Sequence, residues 1–219
     1  MNVAVKTNPP AAGARVRSYL STRDLPAAAT REVLQLALTL KRERAEGRGR
    51  TPLANRTLAM IFQKPSLRTR VSFEAGMTQL GGHAIYLGPD DIRLGARETV
   101  EDIARVLSRM SDLIMARVFG HDIVAELARY ATVPVINGLS DDEHPCQILG
   151  DLLTILERRP RLEGLRVTFV GDGNNVAHSL LLGCALLGMH CTVAGPGEYA
   201  PPAAWLDECQ NLVARLAGG

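Results

Sequence analysis

The chain has 219 residues, 46% of them hydrophobic, and its 25 basic and 23 acidic residues give a formal net charge of +2. This size and apolar content exclude a wholly disordered chain and suit one large or two small globular domains. Since no apolar run reaches the roughly 18 residues that span a bilayer, we predict no membrane partner. The near balance of charge likewise predicts no nucleic-acid partner.

The cysteines and the first residues predict the cellular compartment. None of the four cysteines forms a C-x-x-C pair, which argues against a zinc site or a thioredoxin-like motif. Residues 1–17 hold no continuous apolar segment of the kind that forms a secretory signal. We therefore expect a reduced, cytoplasmic protein whose residues 1–17 form a flexible tail.

The predicted elements alternate between helices and strands. After a first helix at residues 26–44, strands at 57–62, 83–87, 113–117 and 133–137 alternate with helices at 66–80, 98–109, 121–131 and 145–158. A break at 160–164 is followed by a strand at 166–170, a helix at 175–187, a strand at 190–194 and a helix around 204–216. This spacing is typical of an α/β fold with a doubly wound parallel sheet.

The break divides the chain into two predicted domains. Residues 18–159 form the first, including the long helix that leads out of it, and residues 160–219 form the second, which is α/β and Rossmann-like. The second domain contains only two predicted strands, and two parallel strands make a poor sheet by themselves. We therefore expect these 219 residues to stop inside the second domain.

The first candidate site is the segment Ser66-Leu67-Arg68-Thr69-Arg70, which joins a strand to a helix. Two arginines at a helix start oppose the helix dipole, at a cost of about 0.3–1 kcal/mol each, and a bound anion would remove that conflict. Backbone N–H groups, hydroxyls and guanidinium groups together can cradle a phosphate. The alternative is a solvated, arginine-rich helix start.

A second candidate is His144-Pro145-Cys146-Gln147. Proline suits the first position of a helix, which places His144 at the N-cap and Gln147 in the first turn. Both then face the carboxyl edge of the sheet, where ligands of open α/β sheets bind. A histidine there is biased toward the neutral form, which can donate a hydrogen bond to a carbonyl oxygen. A purely structural histidine is the alternative.

Arg117 closes a predicted strand at the same edge, where it could act on a ligand or merely reach solvent. The turn Gly171-Asp172-Gly173-Asn174-Asn175-Val176 is similar to a dinucleotide fingerprint, but Val176 replaces the third glycine. The next strand ends without the acid that would hold a ribose, so we predict no nicotinamide cofactor. The turn is then either a tight connection or a polar turn whose Asn175 amide holds a substrate.

Together these motifs resemble the carbamoyltransferase family, in register from about Ser18 to the end of the chain. Residues 66–70 match the family's S-x-R-T-R motif, with Leu67 where threonine is common. Residues 144–147 match the family's H-P-x-Q motif. Within the family the sequence is similar to the ornithine branch. The similarity to the ornithine branch lies in residues 91–95, Glu98, Asp102, residues 104–109, residues 171–175 and His178-Ser179. The aspartate branch has the sequence K-G-E where this chain has Ala96-Arg97-Glu98.

The resemblance implies transfer of a carbamoyl group from carbamoyl phosphate to the δ-amine of L-ornithine, without cofactor or metal, in a homotrimer with active sites between subunits. Residues 18–159 would bind carbamoyl phosphate and residues 160–219 would begin the ornithine-binding domain. The resemblance implies that the phosphate is bound by Ser66, Leu67 through its backbone, Arg68, Thr69 and Arg70. It implies that the carbonyl is polarised by Arg117, His144 and Thr69. Gln147 would bind the carbamoyl amide, and Asn175 would bind the amino-acid end of ornithine. Arg93 stands where members often have glutamine or histidine reaching a neighbouring subunit's site.

The ornithine branch also carries a D-x-W-x-S-M-G segment, an H-C-L-P segment and a closing helix, none of which occurs here. We therefore expect the 219-residue polypeptide to bind carbamoyl phosphate weakly, if at all, and to turn over poorly. Three alternatives stay open. They are a carbamoyltransferase for another amine, a non-catalytic binding or assembly protein built from the first domain, and a dinucleotide-binding oxidoreductase, which Val176 disfavours.

Overall fold

The computed structural model describes residues 18–94 and 98–217. The predicted tail at residues 1–17 and the branch marker Ala96-Arg97 lie outside the described residues. The helices are α1 (Ala27–Ala45), α2 (Leu67–Gln79), α3 (Pro89–Ile92), α4 (Val100–Met110), α5 (His121–Tyr130), α6 (Pro145–Leu156), α7 (Asn175–Leu186) and α8 (Ala203–Ala217). The strands are β1 (Thr57–Phe62), β2 (His83–Leu87), β3 (Leu113–Arg117), β4 (Val135–Leu139), β5 (Arg166–Val170) and β6 (His190–Ala194).

The first four strands form a parallel sheet in the order β2-β1-β3-β4. The run TLAMIF makes β1 a buried central strand, because residues facing either side of the sheet are apolar. Leu58, Met60 and Phe62 pack on the side of α2, with Met77. Ile61 packs on the opposite side, with residues of α4 and α5. Helices on both faces confirm the predicted doubly wound α/β architecture.

The last two strands, β5 and β6, form a separate two-stranded parallel sheet. Helix α7, buried from Ala177 through Leu186, covers one face of it and packs between α6 and α8. Trp205 of α8 stacks on His178 of α7, with ring centroids 4.5 Å apart. The other face carries exposed side chains, among them Val170 at 80% exposure.

Strand β4 departs from its predicted bounds by two residues, since it covers Val135–Leu139 rather than residues 133–137. Pro134 has no N–H for the ladder, and its carbonyl accepts a hydrogen bond from the Ile114 N–H at 3.0 Å. The ladder continues instead through Asn137 to Leu139 and skips Gly138, and asparagine and glycine are both rare in strands. On the outer edge of β4, Tyr19 forms a parallel bridge with Ile136.

Other differences lie at helix ends. Helix α4 begins at Val100 rather than at Glu98, because the Thr99 hydroxyl caps it and accepts from the Asp102 N–H. The short helix α3 was not predicted. Within the described part of the chain, no helix has both the length and the apolar content needed to cross a membrane.

Candidate active site

A cavity of about 500 Å³ opens at the carboxyl ends of β1, β3 and β4. Parallel strands end at one edge of a sheet, so the turns that follow them converge there. Six of the predicted site residues line the cavity: Ser66, Arg68, Thr69, Arg117, His144 and Gln147. They come from the start of α2, the end of β3 and the start of α6.

The start of α2 presents hydrogen-bond donors to this cavity. Ser66 is the N-cap, and its hydroxyl lies 3.4 Å from the Thr69 N–H and 3.1 Å from the Thr69 hydroxyl. The first turn of the helix contains no acidic residue. The positive end of the helix dipole, together with Arg68, is therefore available to an anion.

Arg117 ends β3 where the register with β4 shifts, so that Ala116 pairs with Asn137 and Arg117 pairs with Leu139. Gly138 is thus the extra residue of a bulge, a device that redirects neighbouring side chains. A Cβ atom at position 138 would lie 2.4 Å from the Met115 sulfur, so a side chain there would require the buried Met115 side chain to move.

The guanidinium group of Arg117 is incompletely paired. Its Nη1 donates to the Thr69 hydroxyl at 3.2 Å, while its buried Nε has no hydrogen-bond partner. Burial, and then the nearby Arg68, lower the pKa of Arg117. Arginine stays charged nonetheless, and a partly buried cation with a spare donor favours a bound anion.

His144 occupies the N-cap of α6 but makes no side-chain capping bond. Burial, and then Arg117, lower the pKa of His144 to about 4. The imidazole is therefore neutral at pH 7, as its position at a helix start predicted. Its buried Nδ1 has no hydrogen-bond partner. The ring is thus free to engage a ligand in the cavity.

Gln147 is oriented by its neighbour one turn further along α6. Its Nε2 donates to the Asp151 carboxylate at 2.9 Å. Burial raises the pKa of Asp151, and this hydrogen bond acts in the opposite direction. Because the amide N–H₂ is engaged by Asp151, the amide oxygen of Gln147 is left to accept from a ligand.

Four predicted residues do not line the cavity. Leu67 is 78% exposed. Arg70 pairs with Glu74 at 2.9 Å and stacks over the Tyr86 ring. Arg93 is exposed after α3, with a left-handed φ of 41°. Asn175 donates its amide to the Ser140 carbonyl at 2.7 Å.

Sequence reasoning missed other lining residues. They are Ser72, Phe73, Gly138, Leu139, Cys146, Asp151 and Val176. Ser72, Phe73 and Asp151 follow Thr69 and Gln147 at spacings of three or four residues, so helical periodicity could have found them. Gly138 and Leu139 gave no such signal, because β4 was expected to end before them. Val176 was noted only as a departure from a glycine pattern, yet it brings α7 to the cavity.

Comparison with known proteins identifies the family. The family model described as aspartate/ornithine carbamoyltransferase, carbamoyl-P binding domain, matches residues 17–157. The model for the Asp/Orn binding domain of the same family matches residues 163–218. The resemblance carried by the two sequence motifs is therefore confirmed.

Similar sequences and similar solved structures are both named ornithine carbamoyltransferase. Ornithine carbamoyltransferase of Anoxybacillus flavithermus is 52% identical over 196 residues, which is 90% of this chain and 62% of the relative. That of Methanosarcina acetivorans is also 52% identical, over 90% of this chain and 65% of the relative. The solved structure of the Pyrococcus furiosus ornithine carbamoyltransferase matches with a TM-score of 0.89 and 49% identity, covering 93% of this chain and 64% of that one.

The chain thus spans 62% to 65% of the length of these relatives. Over that span the sequence identities, the TM-score and both domain models point to the same family. The chain belongs to the aspartate/ornithine carbamoyltransferase family.

Proposed function

We propose that the protein transfers the carbamoyl group of carbamoyl phosphate to the δ-amine of L-ornithine, giving L-citrulline and phosphate. One observation carries this proposal. A single cavity gathers a helix N-terminus, two guanidinium groups and a neutral imidazole, and both Arg117 and His144 have buried nitrogens without partners there. The relatives named ornithine carbamoyltransferase supply the choice of substrates.

The start of α2 is proposed to bind the phosphate group. Ser66 and Thr69 offer hydroxyls, the first turn offers backbone N–H groups, and Arg68 adds a positive charge on the cavity wall. Leu67 would contribute only its backbone N–H, in keeping with its exposed side chain. Arg70 pairs with Glu74 through its Nε, and its two terminal nitrogens are proposed to donate to the phosphate.

Arg117, His144 and Thr69 are proposed to stabilise charge on the carbonyl oxygen. The neutral δ-amine attacks the carbamoyl carbon, negative charge develops on that oxygen, and the carbon–oxygen bond to phosphate then breaks. The electron pair leaves with phosphate, and the proton that the attacking nitrogen loses ends on that phosphate. Prepositioned donors in a cavity lower the barrier for this step. Gln147, with its amide oxygen free, accepts from the carbamoyl N–H₂ group.

The remaining roles concern the second substrate and the assembly. Asn175 is proposed to bind the amino-acid end of ornithine through the amide oxygen that its contact with Ser140 leaves free. Arg93, which is exposed and does not line this cavity, is proposed to reach the site of a neighbouring subunit in a homotrimer or a multiple of trimers. All four cysteines are free thiols, which supports a reducing, cytoplasmic compartment, and we propose that the reaction belongs to arginine biosynthesis. Residues 18–159 and 160–219 are proposed as the two substrate-binding domains.

The test is citrulline formation from carbamoyl phosphate and ornithine, together with calorimetric binding of carbamoyl phosphate. Arg117→Lys removes the forked donor while keeping the charge, and loss of one such donor should lower kcat by about 10²–10³. Arg42→Lys, on the exposed surface of α1, is the matched control and should leave kcat unchanged.

Each alternative predicts a distinct result. If the protein binds carbamoyl phosphate and carbamoylates a different amine, it is a carbamoyltransferase whose second substrate is not ornithine. Binding without any turnover would favour a non-catalytic binding protein. A folded protein extended by the D-x-W-x-S-M-G and H-C-L-P segments that neither binds carbamoyl phosphate at millimolar concentration nor forms citrulline would contradict the proposal.

A further inference from the structure

A buried carboxylate adjoins His144 and has no part in the chemistry described so far. Glu143 is 1% exposed. Its Oε1 accepts from the Ser21 hydroxyl at 2.5 Å. Its Oε2 accepts from the Thr22 N–H at 3.0 Å and from the Ser179 hydroxyl at 3.2 Å. All three donors are neutral, so the buried charge is held by hydrogen bonds alone.

The donors come from separate parts of the chain. Ser21 and Thr22 lie at a single 3₁₀ turn before α1, whereas Ser179 lies in α7 of the second unit. Burying a carboxylate without a cation costs free energy even when it accepts hydrogen bonds. Removing one of its partners costs still more, because a charge is left under-solvated. Glu143 therefore ties both segments firmly to the turn that carries His144.

Ser179 connects this carboxylate to His144 directly. Its hydroxyl donates to Glu143 and accepts from the His144 backbone N–H at 2.9 Å. A hydroxyl has one proton, so its donation to Glu143 aims its lone pairs elsewhere, including at His144. The imidazole itself makes no capping bond and its Nδ1 has no partner. The His144 ring is thus held through its backbone.

We propose that Glu143 is a positioning residue for His144: through Ser179 it fixes the turn that places the imidazole in the cavity, and it couples that placement to α7. The consequence for catalysis rests on the proposed function, whereas the placement of the ring does not. An ionised carboxylate suits this position because donors reach both of its oxygens. In a glutamine at this position, the N–H₂ group would face either a hydroxyl or the Thr22 N–H. The hydroxyl can rotate to accept a hydrogen bond, but the backbone N–H can only donate, so the two donors would oppose each other.

The first test measures the pKa of the His144 ring by NMR. It compares the full wild-type chain with the full chain carrying Ser179→Ala. This variant keeps the Glu143 carboxyl group, and it removes both the hydroxyl that links Glu143 to His144 and one of the three donors to Glu143. We expect the His144 signal to shift and its pKa to rise from about 4 toward the ordinary 6.5, because a looser turn admits water to the ring. Ser111→Ala, which removes a hydroxyl bond at the end of α4, is the control and should change neither quantity.

The second test uses the proposed reaction. Glu143→Gln and Ser179→Ala should each lower kcat, by up to about 10²-fold if the ring moves by 1 Å. The KM for carbamoyl phosphate should change by no more than about twofold, since Ser66 and Arg68 are untouched. Asp142→Asn, an exposed carboxylate in the same turn, is the matched control and should change neither constant.

These outcomes separate the two proposals. If the wild-type protein forms no citrulline, the proposed function fails, and the NMR measurement still decides the role of Glu143. If Glu143→Gln does not fold, Ser179→Ala decides alone. A folded Ser179→Ala protein with an unchanged His144 signal and pKa would overturn the inference, since Glu143 would then serve stability only.

Discussion

The properties of single residues in the cavity come largely from burial. The imidazole of His144 and the guanidinium of Arg117 each lose solvent, and each has a buried nitrogen without a partner. Burial keeps the histidine neutral, while the arginine stays charged. One wall of the cavity therefore combines a fixed positive charge with a neutral donor.

The lowered pKa of His144 predicts how stability depends on pH. Between 6.5 and about 4 the unfolded histidine binds a proton and the folded one does not. The free energy of unfolding should therefore fall as pH decreases through this window. His144→Gln should make urea-denaturation midpoints fall less between pH 7 and pH 4.5 than in the wild type. His83→Gln, at an exposed position, is the control, and an equal slope in His144→Gln would contradict the expectation.

Cys146 predicts a second residue-level behaviour. It lines the cavity, but burial raises the pKa of its thiol to about 12. Since the thiolate is the nucleophile, only about 1 in 10⁴ molecules would be reactive near pH 8. Iodoacetamide should therefore modify Cys146 in denaturant and leave it unmodified in the native protein, as read by peptide mass spectrometry. Native labelling at the unfolded rate would show that the thiol is not shielded.

At the scale of elements, α6 connects the two units. It begins at the cavity with His144 as its N-cap, and its Ile148 and Leu152 pack against Leu180 and Cys184 of α7. The helix thus contributes to ligand contacts at one end and to the core along its length. Its packing determines how α7, and with it Val176, approaches the cavity.

Leu152→Ala tests the packing of α6. The side chain is 1% exposed, so its truncation should lower the free energy of unfolding by about 2–5 kcal/mol. Thr154→Ala, on the exposed side of the same helix, should change it by about 0.5 kcal/mol or less. Urea denaturation of both variants measures the difference. Similar values for the two would show that α6 does not pack on α7 as described.

The elements that were predicted well are those with strong local signals. Apolar runs bounded by glycine, proline or polar residues gave β1, β2, β3, β5 and β6 their observed bounds. Strand β4 was misplaced because Pro134 and Gly138 act through tertiary contacts, the proline at the strand start and the glycine in the bulge. Helix α3 has only four residues, too few to show a period.

The site was predictable to the extent that it follows element ends. Ser66, Arg117 and His144 begin helices or close a strand at the same sheet edge, so their meeting followed from topology. The contact of Asn175 with Ser140 depends on how α7 packs against the turn after β4. Glu143 was not predicted as a site residue. Its burial depends on Ser21 and Ser179, both distant in sequence.

At the scale of the whole molecule, the two sheets differ in protection. In the four-stranded sheet, β1 and β3 each have a bonded strand on both sides. In the second sheet, β5 and β6 each have one bonded neighbour among the described strands, and one face of the pair is exposed. Local opening should therefore require less free energy in the second sheet.

Hydrogen–deuterium exchange measures this difference. Peptides covering β5 and β6 should exchange faster than peptides covering β1 and β3 in the same sample. A protein that opens as one unit would instead show equal protection in both sheets. That outcome would mean that α6 and α7 transmit the stability of the first sheet to the second.

The bulge at Gly138 has a consequence for how this protein can vary. The direction of Arg117 depends on the bulge at a position where any side chain would displace the buried Met115. In a saturation library, substitutions at position 138 should therefore be as poorly tolerated as substitutions of Arg117, although a glycine offers a ligand only its backbone. Laboratory evolution toward other substrates would gain little by altering it and would do better to explore Ser72, Phe73 or Val176, whose side chains line the same cavity.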